Sequence, residues 1–142
     1  MSYWEHFNNG GGWNKTHESG WFLDMTRTMM LTERGNELWL APFVTSNWLK
    51  DGMVIEVKNA PTHFGTVGYK ITSSVDKGFI ETVIDPPKRN PPEIIVLRLR
   101  HPDGKKITSV KLNGKPYNDF TTDKELIRLH DIDGQINIKV MY

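Results

Sequence analysis

The strand pattern is clearest in Ile136-Asn137-Ile138-Lys139-Val140, where apolar and polar side chains alternate. Successive side chains of a β-strand point to opposite faces of its sheet, so this period of two indicates one buried and one solvated face. The same alternation recurs at 53–58, 67–71 and 95–100. We therefore expect most of the chain after residue 35 to form half-buried strands.

Four turn signals separate these strands: Asp76-Lys77-Gly78, Pro102-Asp103-Gly104, Asn113-Gly114 and Asp133-Gly134. Gly and Asn adopt the positive φ that tight turns need, so we interpret these segments as hairpin turns between antiparallel neighbours. Strands do not alternate with helices along the sequence, so nothing in the pattern indicates a parallel sheet. The predicted fold is all-β, an antiparallel two-sheet β-sandwich of about eight short strands.

The proline-rich segment Pro86–Pro92 lies between two strong strand patterns. Proline has no N–H to donate to a sheet, so the segment is predicted to be an extended crossover that carries the chain from one sheet to the other. The alternative interpretation is a polyproline ligand for an aromatic groove on another protein.

One helix is predicted before the strands. Trp21, Phe22, Met25 and Met29 recur at i, i+1, i+4 and i+8, which places them on one helical face. The helix is predicted to run from about Ser19 to Thr32, with Gly35 as its stop signal. The expected organisation is an N-terminal loop and helix at 1–35, followed by the β-sandwich at 36–142.

Composition excludes several classes of protein. The chain has 142 residues, the size of one domain, with a formal net charge of +1 and no cysteine. We therefore expect no nucleic-acid partner, no disulfide and no cysteine-ligated zinc. No apolar run is long enough for a membrane span, and residues 1–6 show no secretory signal pattern. We therefore expect a soluble chain, and the sequence does not indicate its cellular compartment.

No catalytic motif is complete. His17-Glu18 begins like a zinc-protease motif, but Trp21 stands where the second histidine is required. Asp131-Ile132-Asp133-Gly134 has two carboxylates spaced as in a calcium loop, but the glycine required at the sixth position and the glutamate required at the twelfth are missing, so we interpret it as a hairpin turn. We predict no catalytic residue, no metal and no cofactor. A small glycosidase using a carboxylate pair such as Glu18 and Glu81 is the weakest hypothesis.

The five tryptophans all lie in the first 48 residues. An indole ring offers a flat apolar face to a sugar, and polar loop residues surround Trp13 and Trp48, so these two are the candidates for carbohydrate contact. Trp21 lies in the helical stripe, and Trp39 alternates with two leucines on a strand. For Trp21 and Trp39 we favour packing in a core or an interface.

Several stretches carry a family resemblance: Gly12–Leu23 (GWNKTHESGWFL), Glu37–Val44 (ELWLAPFV), Trp48–Gly52 (WLKDG), Phe64-Gly65, Arg98–Gly104 (RLRHPDG) and Val110–Pro116 (VKLNGKP). Together they resemble the C-terminal end of bacterial six-hairpin (α/α)-barrel glycosidase-like proteins. The resemblance implies a C-terminal β-sandwich preceded by the last helix of the barrel. It also implies that the reaction belongs to carboxylates inside the barrel, which a chain with one helix cannot form.

The sequence thus predicts a non-catalytic accessory domain that packs against the (α/α)-barrel catalytic domain of its parent protein. The candidates for docking on that partner are Trp21, Phe22, Met25 and Met29 on the predicted helix, and self-association through the same helix is expected when the barrel is absent. The alternative is a carbohydrate-binding module that uses Trp13 and Trp48. Docking predicts a flat apolar face, whereas sugar binding predicts an exposed row or cleft of aromatic rings.

Overall fold

The computed structural model describes residues 16–142, which begin with helix α1 (Thr16–Met30). The helix passes directly into strand β1 (Leu31–Arg34), so the predicted extension of the helix to Thr32 is wrong. Leu31 is 1% exposed and pairs with Leu40 of the next strand, and its burial in the sandwich outweighs another turn of helix. Gly35, with φ of +57°, makes the tight turn between these strands and does not stop the helix.

Eleven strands lie within residues 16–142, in two sheets. One sheet has the order β1–β2–β6–β10–β9 and the other the order β3–β4–β5–β11–β7–β8. The strands after β1 are β2 (Glu37–Leu40), β3 (Val54–Thr62), β4 (Gly65–Ser74), β5 (Phe79–Asp85), β6 (Ile94–Arg98), β7 (Ser109–Leu112), β8 (Lys115–Tyr117), β9 (Phe120–Thr121), β10 (Leu126–Leu129) and β11 (Ile136–Met141). The first strand of the β-sandwich therefore starts at Leu31.

A single hydrophobic core lies between the sheets. Leu38 and Leu97 enter it from the five-stranded sheet, and Ile71 and Ile138 enter it from the six-stranded sheet; all four side chains are fully buried. Alternate residues of β4 and β11 are buried, as the period of two predicted. The predicted all-β sandwich with one N-terminal helix is confirmed.

The connections between strands differ from the prediction at two turns. Asp76–Gly78 and Asn113-Gly114 do join neighbouring antiparallel strands, and Asn113 and Gly114 both have positive φ. Pro102–Gly104 and Asp133-Gly134 instead follow β6 and β10 of one sheet and precede β7 and β11 of the other. The hairpin interpretation of these two turns is wrong, because a glycine turn sets the local backbone direction and not the sheet that the next strand joins.

The proline-rich crossover is confirmed, since 86–92 runs from β5 in the six-stranded sheet to β6 in the five-stranded sheet. The chain returns beside β2 in the same direction, so β2 and β6 form a parallel pair within the otherwise antiparallel sheet. Leu40 pairs with Leu97, and Trp39 pairs with Val96. The outward side chains of β2 and β6 therefore stand next to each other on the outer face of the five-stranded sheet.

Substitution of Leu97 by alanine tests the placement of the core. Leu97 is fully buried, so Leu97→Ala is expected to lower the free energy of unfolding by about 2 to 5 kcal/mol. Met53→Ala is the control, because Met53 is 50% exposed and its loss should change stability by less than about 0.5 kcal/mol. Denaturant unfolding measures both, and equal midpoints would contradict this placement.

Candidate functional site

The first half of α1 carries large apolar side chains in solvent. Trp21, Phe22, Leu23 and Met25 are 66%, 45%, 67% and 55% exposed, and together we call them the α1 apolar surface. Trp21, Phe22 and Met25 share the helical face that the sequence predicted, and Leu23 lies about 100° further round the helix. Met29, the fourth predicted docking residue, is half-buried near the end of the helix. Exposed apolar patches of this kind mark interaction surfaces.

Backbone hydrogen bonds fix the C-terminal end of α1 to the sandwich. The amide N–H groups of Ala41 and Phe43 donate to the carbonyls of Met30 and Met29, at 2.8 and 3.2 Å. The buried Tyr69 hydroxyl of β4 also donates to the Met30 carbonyl, at 2.8 Å. Burial raises the pKa of Tyr69, so this phenol remains a protonated donor at neutral pH.

A cluster of three charged or polar side chains ties α1 to both sheets. The Arg27 Nη2 of α1 lies 3.1 Å from Oε1 of Glu33 in β1 and donates to the Pro61 carbonyl of β3 at 2.7 Å. His63, in the β3–β4 turn, donates its backbone N–H to Glu33 Oε2 at 3.0 Å, and its ring Nδ1 contacts the same oxygen. The helix is thus held at a defined angle, and its apolar surface has a fixed orientation relative to the sheets.

Glu33 is the electrostatic centre of this cluster. Partial burial works against its ionisation, but hydrogen bonds from the His63 backbone and from the Arg27 and His63 side chains, with the charge of His63, hold its pKa below the ordinary value. Glu33 therefore stays ionised at neutral pH and keeps its contacts with Arg27.

Of the two predicted carbohydrate-contact residues, the structure describes Trp48. Trp48 lies in a short 3-10 turn (Ser46–Leu49) and is 40% exposed, while Leu49 beside it is buried and fixes the turn to the core. Trp13 lies outside the described residues. Among the described residues, Trp48 therefore stands as an exposed ring on a loop.

Of the two carboxylates considered for catalysis, the structure describes the side chain of Glu81. Glu81 Oε1 lies 3.1 Å from Lys139 Nζ on the neighbouring strand, and Glu18 lies outside the described side chains. Among the residues that the structure describes, no three His, Asp or Glu side chains are grouped as metal ligands.

None of the described helices is long and apolar enough to cross a membrane.

The structure assembles a pocket that sequence reasoning missed, on the outer face of the five-stranded sheet. Paired residues share a face, so Trp39, Val96, Arg98 and Leu126 all point outward from β2, β6 and β10. The pocket has a volume of about 250 Å³ and is lined by Arg34, Trp39, Pro42, Phe43, Arg98, Lys124 and Leu126. We call it the Trp39 pocket.

Arginines and aromatic rings meet in the Trp39 pocket. The Arg34 guanidinium carbon lies 4.5 Å from the centre of the Trp39 ring and 5.8 Å from that of Phe43, within the range of a cation–π contact. The Trp39 indole N–H donates to Glu37 at 2.7 Å, which fixes the ring plane. The arginines are far apart in sequence, and only the alternation of Trp39 with Leu38 and Leu40 signalled this outward face.

Comparisons with known proteins add no relative. The sequence matches no protein-family model. A search of curated proteins finds no significant match either.

Replacement of Glu33 tests the attachment of α1. At neutral pH, Glu33→Gln is expected to lower the free energy of unfolding by about 1 kcal/mol, because it removes a partly buried ion pair with Arg27. The folded-state pKa of Glu33 is lowered, so its contribution is present above its ordinary value of 4.5 and disappears as the pH falls through the folded-state pKa.

Urea unfolding of both proteins at neutral and strongly acidic pH measures this difference. Glu56→Gln serves as the control, because Glu56 pairs only with the exposed Lys58. A difference between wild type and Glu33→Gln that persists at strongly acidic pH would contradict this role of the Glu33 charge.

Proposed function

We propose that this chain is a non-catalytic accessory β-sandwich that packs, through the α1 apolar surface, against the (α/α)-barrel catalytic domain of its parent protein. The observation that carries the proposal is the exposure of Trp21, Phe22, Leu23 and Met25 on two turns of the helix. Burial of a large apolar side chain stabilises by about 1.5 to 3 kcal/mol, so covering these four supplies a substantial driving force for docking.

The attachment of the helix supports a docking role. Arg27, Glu33 and His63, together with the backbone bonds at Met29 and Met30, hold the last turns of α1 against the sandwich. The middle of the helix, which carries the α1 apolar surface, is then held in a fixed arrangement. A surface that is ordered before binding loses less conformational entropy when a partner covers it.

The family resemblance supports the identity of the partner. In the (α/α)-barrel proteins that the sequence resembles, the helix before the sandwich is the last helix of the barrel. Helices of such a barrel pack against their neighbours through apolar stripes, and the α1 apolar surface has the composition of such a stripe.

The carbohydrate-binding alternative has less support at its predicted residues. Trp48 is 40% exposed on a loop and does not line the Trp39 pocket. The α1 apolar surface has four exposed large side chains, so we place docking before sugar binding.

The docking proposal predicts self-association of the isolated chain. Sedimentation velocity is expected to show concentration-dependent association, because the α1 apolar surface is then covered by a second copy. The double variant Trp21→Ser/Met25→Ser should be monomeric, with a thermal midpoint equal to that of the wild type at dilutions where the wild type is itself monomeric. The control is Met53→Ser, which removes a similarly exposed apolar side chain, 50% exposed, away from α1.

The partner is tested directly with an isolated bacterial (α/α)-barrel domain. It is taken from a protein in which the barrel is followed by a helix and a β-sandwich that match this chain. Added to the isolated barrel, the wild-type chain is expected to form a one-to-one complex and the double variant is not. A wild-type chain that is monomeric at all concentrations and does not bind the barrel would overturn the proposal, as would a large loss of stability in the double variant.

A further inference from the structure

The Trp39 pocket combines an excess of positive charge with an apolar wall. Arg34, Arg98 and Lys124 line it, and none of its lining residues is acidic. The two carboxylates placed against this group are both engaged, because Glu37 accepts from the Trp39 indole and Glu125 lies near two arginines at once. The pocket therefore attracts an anion.

Arg34 is an available cation of the pocket. Its guanidinium is held over Trp39, yet it forms no ion pair with any residue in 16–142. A guanidinium carries several N–H donors in a planar fork that matches the two oxygens of a carboxylate. The ring contact restricts the side chain before binding, so less conformational entropy is lost when a ligand binds.

Arg98 and Arg100 compete for one carboxylate. Glu125 Oε2 lies 3.9 Å from Arg98 Nη2 and 3.6 Å from Arg100 Nε, beyond the distance of a good hydrogen bond. The Arg98 Nε is buried and has no hydrogen-bond partner among residues 16–142. Partial burial and the nearby charge of Arg100 lower the pKa of Arg98, although Glu125 acts in the opposite direction. A second anion beside Arg98 would relieve this shortage of negative charge.

The size and walls of the pocket restrict the ligand. Sites for drug-sized molecules occupy about 300 to 1,000 Å³, so a volume of about 250 Å³ suits one ring-sized unit. Phe43 is 43% exposed, and Pro42 and Leu126 add apolar surface. A small inorganic anion would leave these walls uncovered, whereas a ring with an apolar C–H face covers them.

We propose that the Trp39 pocket binds a carboxylated sugar, a uronic acid unit of an acidic oligosaccharide or polysaccharide. Arg34 and Lys124 would hold the carboxylate, while Phe43 and the edge of Trp39 contact the C–H face of the ring. The site lies on the outer face of the five-stranded sheet and uses no residue of the α1 apolar surface. A test of sugar binding is therefore independent of a test of docking to a barrel.

Calorimetric titration with tri-galacturonate, with a neutral hexose trimer as the reference ligand, tests the proposal. The wild-type chain is expected to bind the acidic trimer and not the neutral one, with an affinity that falls as salt is added. Arg34→Gln should weaken binding by at least about tenfold, which corresponds to one charge-assisted contact. Arg34→Lys should restore part of the loss, because the charge returns without the planar fork.

Two controls separate the site from general charge and from folding. Lys70→Gln removes one positive charge from β4 of the opposite sheet and should bind like wild type. Thermal unfolding shows whether Arg34→Gln folds, and Lys124→Gln in the exposed segment before β10 repeats the test if it does not.

Three outcomes would overturn the proposal. The first is no heat with the acidic trimer, and the second is equal binding by Arg34→Gln and wild type. The third is binding of inorganic phosphate as tight as that of the trimer, with no effect of Phe43→Ala, which would mark a plain anion site. A loss of trimer binding in Phe43→Ala without loss of stability supports the contact with the sugar ring.

Discussion

The pairing of Leu31 with Leu40 in the β1–β2 hairpin is the contact on which the functional surfaces depend. Both leucines are buried in the core, so the chain must leave the helix after Met30. The alternation of a strand then fixes the side chains that follow. Glu33 lies where it meets Arg27 and His63, while Arg34 extends over Trp39 on the outer face. This hairpin thus orients the helix and places Arg34 over Trp39.

The two surfaces suit different kinds of partner. The α1 apolar surface carries large side chains without charge, which favours a dry contact with another folded domain. The Trp39 pocket carries guanidinium groups beside aromatic rings, which favours a small anionic ligand with an apolar face. Phe43 links the two regions, since its ring lines the pocket and its amide N–H donates to Met29 at the end of α1. A domain docked on α1 would therefore stand close to the pocket.

The sequence by itself determined the fold class and the position of the helix. The period of two in β4 and β11 follows from the burial of one sheet face, and Asn113-Gly114 encodes a hairpin in its own backbone preferences. The proline-rich crossover at 86–92 could also be predicted from the sequence, because each proline by itself lacks an N–H donor. These signals are local, so neighbouring residues are enough to reveal them.

The tertiary structure alone decided which strands pair and which side chains meet. Asp133-Gly134 has the composition of a hairpin turn, yet β11 joins the other sheet because the burial of Ile136, Ile138 and Val140 is satisfied between β5 and β7. The helix ends before Leu31 for a similar reason. The pairing of Leu31 with Leu40, nine residues further along the chain, outweighs the local preference for helix. Arg34 and Arg98 meet at Trp39 only through the parallel pairing of β2 with β6. Such contacts depend on the summed burial of many distant side chains, which no local pattern records.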